Sequence, residues 1–152
     1  MVRKLNEFEN CINKGLLRKI PVSEEKAKGS IKTAERWLGE AEKSLKFLIY
    51  NSSVLCSYLS MFHSARAILF YDGYREKSHY CVARYLEEKY TKKGLLETKW
   101  IDLLDYYRDL RHANQYSIES FATKEEAENA LDTAKKFLER MKKLLKEKGA
   151  KI

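Results

Sequence analysis

Between Tyr106 and Tyr116 the chain reads Tyr106-Tyr107-Arg108-Asp109-Leu110-Arg111-His112-Ala113-Asn114-Gln115-Tyr116, which crowds two arginines, a histidine, two amides and three tyrosines into three helical turns. A guanidinium fork donates paired hydrogen bonds to a phosphate, and an imidazole exchanges a proton near neutral pH. Arg108, Arg111 and His112 therefore have the parts for RNA phosphodiester cleavage. Arginine would oppose the charge that grows on the phosphate oxygens while histidine moves protons.

Arg111 lies four residues beyond Tyr107 and seven beyond Leu104, so it continues an inward-facing helical row. A cation in that row must find a partner or open onto a cleft. Two readings follow. Arg111 binds phosphate, or it pairs with an acid such as Asp105 or Asp109 and leaves His112 as a solvated surface residue. A second group, Tyr58, His63 and Arg66, repeats the pattern, because Arg66 interrupts the apolar row of Phe62 and Leu69. It either forms a second wall of a phosphate pocket or lays its stem on the core with its head in water. His79, just after Ser78, contributes to the same pocket or supports its own helix end. Tyr58, Phe62, Tyr106, Tyr107 and Tyr116 either stack on bases or belong to the core with their hydroxyls at its edge.

The elements that must position these groups read as helices. From Val22 to Tyr50 the residues Ala27, Ile31, Ala34, Leu38, Ala41, Leu45 and Leu48 recur at helical spacing behind Pro21 and a cap at Ser23. A short leading helix precedes them. A polar break at Asn51-Ser52-Ser53 opens a second long helix that runs through Phe70 and stops at Asp72-Gly73. A third starts at Ser78 and reaches Tyr90, and a fourth spans about Leu96 to Tyr116 with Trp100, Leu103, Leu104, Tyr107 and Leu110 inward. The last begins at a Thr123–Glu126 capping box and carries Ala127, Ala130, Leu131, Ala134, Phe137, Leu138 and Met141 inward. The expected fold is all-α, an up-and-down bundle of four main helices plus a short N-terminal helix, in a single domain over 1–152.

Composition narrows the function classes. The chain has 152 residues, 44% of them apolar, and one proline, Pro21; that suits helices and not an all-β fold. Three widely spaced cysteines, Cys11, Cys56 and Cys81, indicate neither a disulfide framework nor a zinc site, and a reducing cytoplasm fits. No apolar run approaches a membrane span, and the N-terminus has no apolar signal core. The net charge of +8 favours polyanions, although the lysines of the last helix read more simply as a solvated face. Lys and Glu abound while Gln115 is the only glutamine, a balance found in proteins from hot environments. Metal-ligand, phosphate-loop and serine-nucleophile motifs are absent, so any catalysis is expected to be metal-independent and no cofactor is expected.

The stretch from Ser57 to Tyr90, SYLSMFHSARAILFYDGYREKSHYCVARYLEEKY, resembles the signature of prokaryotic HEPN proteins of the UPF0332 branch. Those carry a SYYAMFHAARALL-like helix followed by a KSH helix start. The similarity extends to their later LR…DY segment, here Leu110 to Tyr116, and so covers most of the chain from Ala34 to Leu138. It implies a helical bundle that forms a homodimer with the arginine-bearing helices at a shared cleft. It also implies binding of RNA or a nucleotide, with metal-independent ribonuclease activity in toxin–antitoxin or defence systems. A nucleotidyltransferase is the partner it implies, and a non-catalytic module docked on that partner is the alternative role. The active ribonuclease pattern is an arginine, four to six residues, then histidine. Here only three residues separate Arg108 from His112, Tyr116 stands where the pattern starting at Arg111 would have histidine, and Gln115 replaces an acid. On this basis Arg111, His112 and His63 are the expected catalytic residues. Arg66, Arg108, Asn114, Tyr116, Tyr58 and His79 are expected to bind RNA or nucleotide.

Overall fold

The computed structural model describes residues 6–118 and 121–152. Helix α1 (Glu7–Asn13) starts at a capping box in which Asn6 and Glu9 satisfy each other's backbone N–H groups. Helix α2 (Glu24–Lys46) starts where the Ser23 hydroxyl accepts from the Lys26 N–H, and α6 (Lys124–Glu147) starts at the expected Thr123–Glu126 box. Between them lie α3 (Tyr50–Asp72), α4 (His79–Leu86) and α5 (Thr98–Tyr116). The architecture is the all-α bundle read from the sequence.

Helix α3 is the centre of this bundle. Met61, Ile68 and Leu69 on it are fully buried together with Leu86, Leu104, Phe137, Met141 and Leu145 from the helices around it. Its serines let α2 approach closely. Ser53 and Ser60 donate to the carbonyls of Ala41 and Ala34 at 2.9 and 2.8 Å, and Ser30 returns a bond to the His63 carbonyl at 2.7 Å. These three small hydroxyls thus fill a tight seam with their own donors paired, whereas the buried Ser57 hydroxyl on the same helix has no partner among the described residues. At the other end Asp72 accepts from Tyr85 at 2.8 Å, from Tyr90 at 2.5 Å and from Lys148 at 2.9 Å, which fixes the last turn of α3 against the chain after α4 and the end of α6.

Four features differ from the sequence reading. The break between the first two long helices falls at Phe47-Leu48-Ile49, where Leu48 adopts a left-handed φ of 62°, and not at Asn51-Ser52-Ser53. Those polar residues instead form the first turn of α3, where Ser53 is spent on the α2 seam. Two short strands appear, β1 (Leu17–Lys19) and β2 (Tyr74–Glu76). They pair antiparallel with Leu17 opposite Glu76, Arg18 opposite Arg75 and Lys19 opposite Tyr74. Gly73 makes this possible: its φ is +86°, and a Cβ there would lie 2.8 Å from the Ile20 carbonyl oxygen. The third helix is not uniform, since α4 passes into a π-helical turn over Glu87–Thr91. Finally, Cys11 and Cys81 form a disulfide that ties α1 to α4, which corrects the expectation of no disulfide. Their separation of 70 residues gave no spacing signal, and only the fold brings the two together.

Candidate functional site

Tyr58, in the middle of α3, is buried, and its hydroxyl lies 2.9 Å from His79 Nδ1. His79 is the first residue of α4; Ser78 before it is extended, so the chain leaves β2 and turns into the helix with the imidazole directed at α3. That ring stacks on Phe62 with centroids 3.9 Å apart and planes inclined by 13°. From α5, the Arg111 guanidinium lies over the Tyr58 ring, 5.1 Å from its centroid. Three helices therefore meet at one tyrosine, with a guanidinium on its face and an imidazole at its hydroxyl.

Arg111 keeps hydrogen-bonding capacity. Its Nη1 donates to Gln115 Oε1 at 3.1 Å, while its Nε is buried and has no hydrogen-bond partner among the described residues. The group borders a cavity of about 110 Å³ lined by Asn51, Ser52, Leu55, Arg111, Asn114 and Gln115. The first turn of α3 forms one wall of that cavity. Ile49 gives this helix no side-chain cap and its first turn carries no acid, so the positive end of the helix dipole is not offset by its own side chains.

The electrostatics favour an anion. Burial, and then the charges of Arg111, Arg66 and Arg108, hold the His79 pKa below the ordinary imidazole range. Burial is also the main cause at His63, with Arg66, His79 and Arg36 adding to it, and brings that pKa down to about 4. Burial pushes the Tyr58 hydroxyl up, so it stays protonated. Near neutral pH the cleft holds neutral imidazoles beside a cationic Arg111, and a neutral imidazole can accept a proton.

The other candidates separate. Asp105 does not take Arg111; it holds Arg84 and, at 2.6 Å, Arg108, and Arg108 reaches Asp109 at 3.5 Å as well. Arg108 and Arg84 also lie over the Tyr80 ring, 5.1 and 4.8 Å from its centroid. The charge of Arg108 is thus committed within the fold. Arg66 neither snorkels nor faces Arg111 freely: it binds the buried Glu76 at 2.9 Å and lies over Phe70 and Phe62. His63 packs edge-on against Phe62, on a different part of that ring system from the Tyr58 hydroxyl. His112 is exposed and tilts against Tyr116, ring centroids 4.7 Å apart, and Tyr116 is itself 69% exposed. Asn114 lines the Arg111 cavity.

The sequence reading left His79 between the pocket and support of its own helix end, and it did not place Asn51, Ser52, Leu55 or Gln115 beside Arg111. A serine before a histidine says little by itself, and the three α3 residues sit on the helix start that the polar run seemed to interrupt.

A profile of the HEPN domain matches residues 27–144. A protein of Methanocaldococcus jannaschii described as a "putative toxin" is 29% identical over 123 residues, which cover 81% of this chain and 91% of that protein. The family match includes α3, α4 and α5 and hence every residue of the cleft named above.

Proposed function

As the chain belongs to the HEPN domain family, we propose that it is a toxin-type endoribonuclease that binds RNA at the Arg111 cleft and cuts it without a metal, as a homodimer. The observation that carries this reading is the position of Arg111: over Tyr58, with Nε unspent, beside the neutral His79. The "putative toxin" description of the relative points the same way.

In the proposed reaction a 2′-hydroxyl attacks the adjacent phosphorus and gives its proton to an imidazole. The bond from phosphorus to the 5′-oxygen breaks, a 2′,3′-cyclic phosphate forms, and the leaving oxygen takes a proton. His79 is the group best placed to accept the first proton: with Nδ1–H donated to the Tyr58 hydroxyl its Nε2 lone pair is free, and burial with the nearby arginine charges keeps the ring neutral. Arg111 stabilises the charge on the phosphorane oxygens. His112, exposed beside Tyr116, is available to return a proton to the leaving group. His63, edge-on to Phe62, takes no proton-transfer step in this reading.

An apolar rim beside the cleft supports a protein neighbour. Phe47, Leu48, Ile49, Tyr116, Ile118 and Phe121 are all more than half exposed. Asn51, which lines the Arg111 cavity, accepts from the Ala122 N–H at 2.6 Å, so the α2–α3 turn and the chain before α6 meet there. Isolated exposed apolar residues are ordinary, whereas a group of them marks an interaction site. In the leading reading a second copy covers this rim. In the alternative, a nucleotidyltransferase docks there and the chain itself is not catalytic.

Equilibrium binding of single-stranded RNA by wild type and Arg111→Ala tests the cleft. Binding at least tenfold weaker in the variant is expected, and equal binding would overturn the assignment. Sedimentation of Phe47→Asp/Phe121→Asp tests the rim: the wild type should run as a dimer and the variant as a monomer. A monomeric wild type would remove the homodimer.

A further inference from the structure

The two-stranded sheet carries charge that the fold does not use. In the segments Lys14–Lys19 and Tyr74–Lys77 the cations are Lys14, Arg18, Lys19, Arg75 and Lys77, all exposed. The single acid there, Glu76, is buried and bound to Arg66. None of the five cations makes an ion pair with a described residue. The lysines of α6 are different. Lys135 pairs with Glu42, Lys136 with Asp132, Lys142 with Glu35 and Glu139, and Lys143 with Glu147. The α6 face is thus largely neutralised in place, and the sheet is not.

The register sharpens the contrast. Arg18 stands directly opposite Arg75, with both side chains on the outer face that Lys77 shares, while Leu17 and Glu76 point inward. Like charges directly opposite on neighbouring strands destabilise a sheet. The arrangement costs folding free energy and returns no internal contact, apart from a bond from Arg18 Nε to the Gly15 carbonyl at 3.2 Å. It also has a fixed relation to the cleft: Lys77 lies two residues before His79, and Glu76, between Arg75 and Lys77, orients Arg66.

We propose that the outer face of this sheet, Arg18, Arg75 and Lys77 with Lys14 and Lys19 at its margin, binds the phosphate backbone of a single-stranded nucleic acid that continues out of the Arg111 cleft. The inference rests on the RNA-binding reading and adds that the ligand is a strand several nucleotides long and not a mononucleotide. Phosphate contacts of this kind position a strand without reading its sequence.

The test uses the full chain, a long uncleavable 2′-O-methyl RNA strand and a dinucleotide, with affinities measured between about 50 and 200 mM salt. The variant Arg18→Gln/Arg75→Gln/Lys77→Gln leaves the core untouched and relieves the cross-strand repulsion, so its melting temperature should not fall. For the long strand its slope of log affinity against log salt should be shallower than that of the wild type by about two, at about 0.7 per lost single-strand contact. Its affinity for the dinucleotide should be unchanged. Arg111→Ala should weaken the dinucleotide and lower the long-strand salt slope by only about 0.7, for its single phosphate contact.

An unchanged slope in the triple variant overturns the proposal and leaves the cleft reading standing. So does a variant that only aggregates more readily, which would make the charges protection for exposed strand edges, or one that loses binding to anionic lipid vesicles alone. Loss of slope in the triple variant with no effect of Arg111→Ala upholds the sheet and sinks the cleft. A wild type that binds no RNA at low salt sinks both.

Discussion

Tyr58 couples the two groups on which the proposed chemistry depends, and a single atom separates its two roles. Tyr58→Phe removes the hydroxyl from His79 Nδ1 and keeps the ring under Arg111. Cleavage should fall by at least tenfold, RNA affinity by less than threefold, and stability by about 1 kcal/mol for the lost hydrogen bond. Equal losses of affinity and rate would mean that His79 only supports the pocket. His63 gives a pH signature. An unfolded histidine titrates near 6.5, whereas His63 in the fold titrates at about 4. As pH falls the unfolded chain takes up this proton first, so the stability tied to neutral His63 is complete above about pH 6.5 and is lost toward pH 4. After allowance for solvent screening the loss is about 1–2 kcal/mol. Urea midpoints in that window should fall less in His63→Leu than in wild type, and parallel curves would refute the point. Arg111 was legible in the sequence as a cation in an apolar row. The choice between phosphate and Asp105 was not, because Arg84 and Arg108 compete for that acid and their approach depends on how α4 and α5 pack.

At the scale of elements the helices were legible and their junctions were not. Apolar spacing locates α2, α5 and α6 because each buries one stripe, α3 shows as a long run buried on nearly every side, and caps at Ser23 and Thr123 mark two starts. The α2–α3 turn was misplaced by a few residues because polarity normally signals a break, yet Ser53 is used as a seam residue and the turn is built from Phe47, Leu48 and Ile49. The strands were invisible. Three residues each are too few for an alternating pattern, and the pairing depends on Gly73 letting the chain reverse close to Ile20. Gly73→Ala should therefore cost about 1–3 kcal/mol, from strain at a positive φ and from the Cβ contact. A thermal melt reads that loss directly, and an unchanged midpoint would show that the turn relaxes freely.

Across the whole molecule, α4 is the element through which distant parts of the chain reach the cleft. Its first residue is His79, its Arg84 joins Glu7 of α1 to Asp105 of α5, and its Cys81 carries the bond to Cys11. In the chain-entropy view a crosslink across 70 residues contributes at most about 4 kcal/mol. Cys11→Ser/Cys81→Ser should thus melt well below wild type, and equal melting would deny the crosslink a stabilising role. The cleft, the apolar rim and the basic sheet face share this scaffold, so the decisive question is whether the first of them does chemistry. The most direct measurement is incubation of wild type and Arg111→Ala with a mixture of tRNA and mRNA in the presence of EDTA, after circular dichroism has shown equal helical content. Cleavage by the wild type, ending in 2′,3′-cyclic phosphates and absent from the variant, is the predicted result. Cleavage retained in Arg111→Ala, or absent from both, would contradict the account.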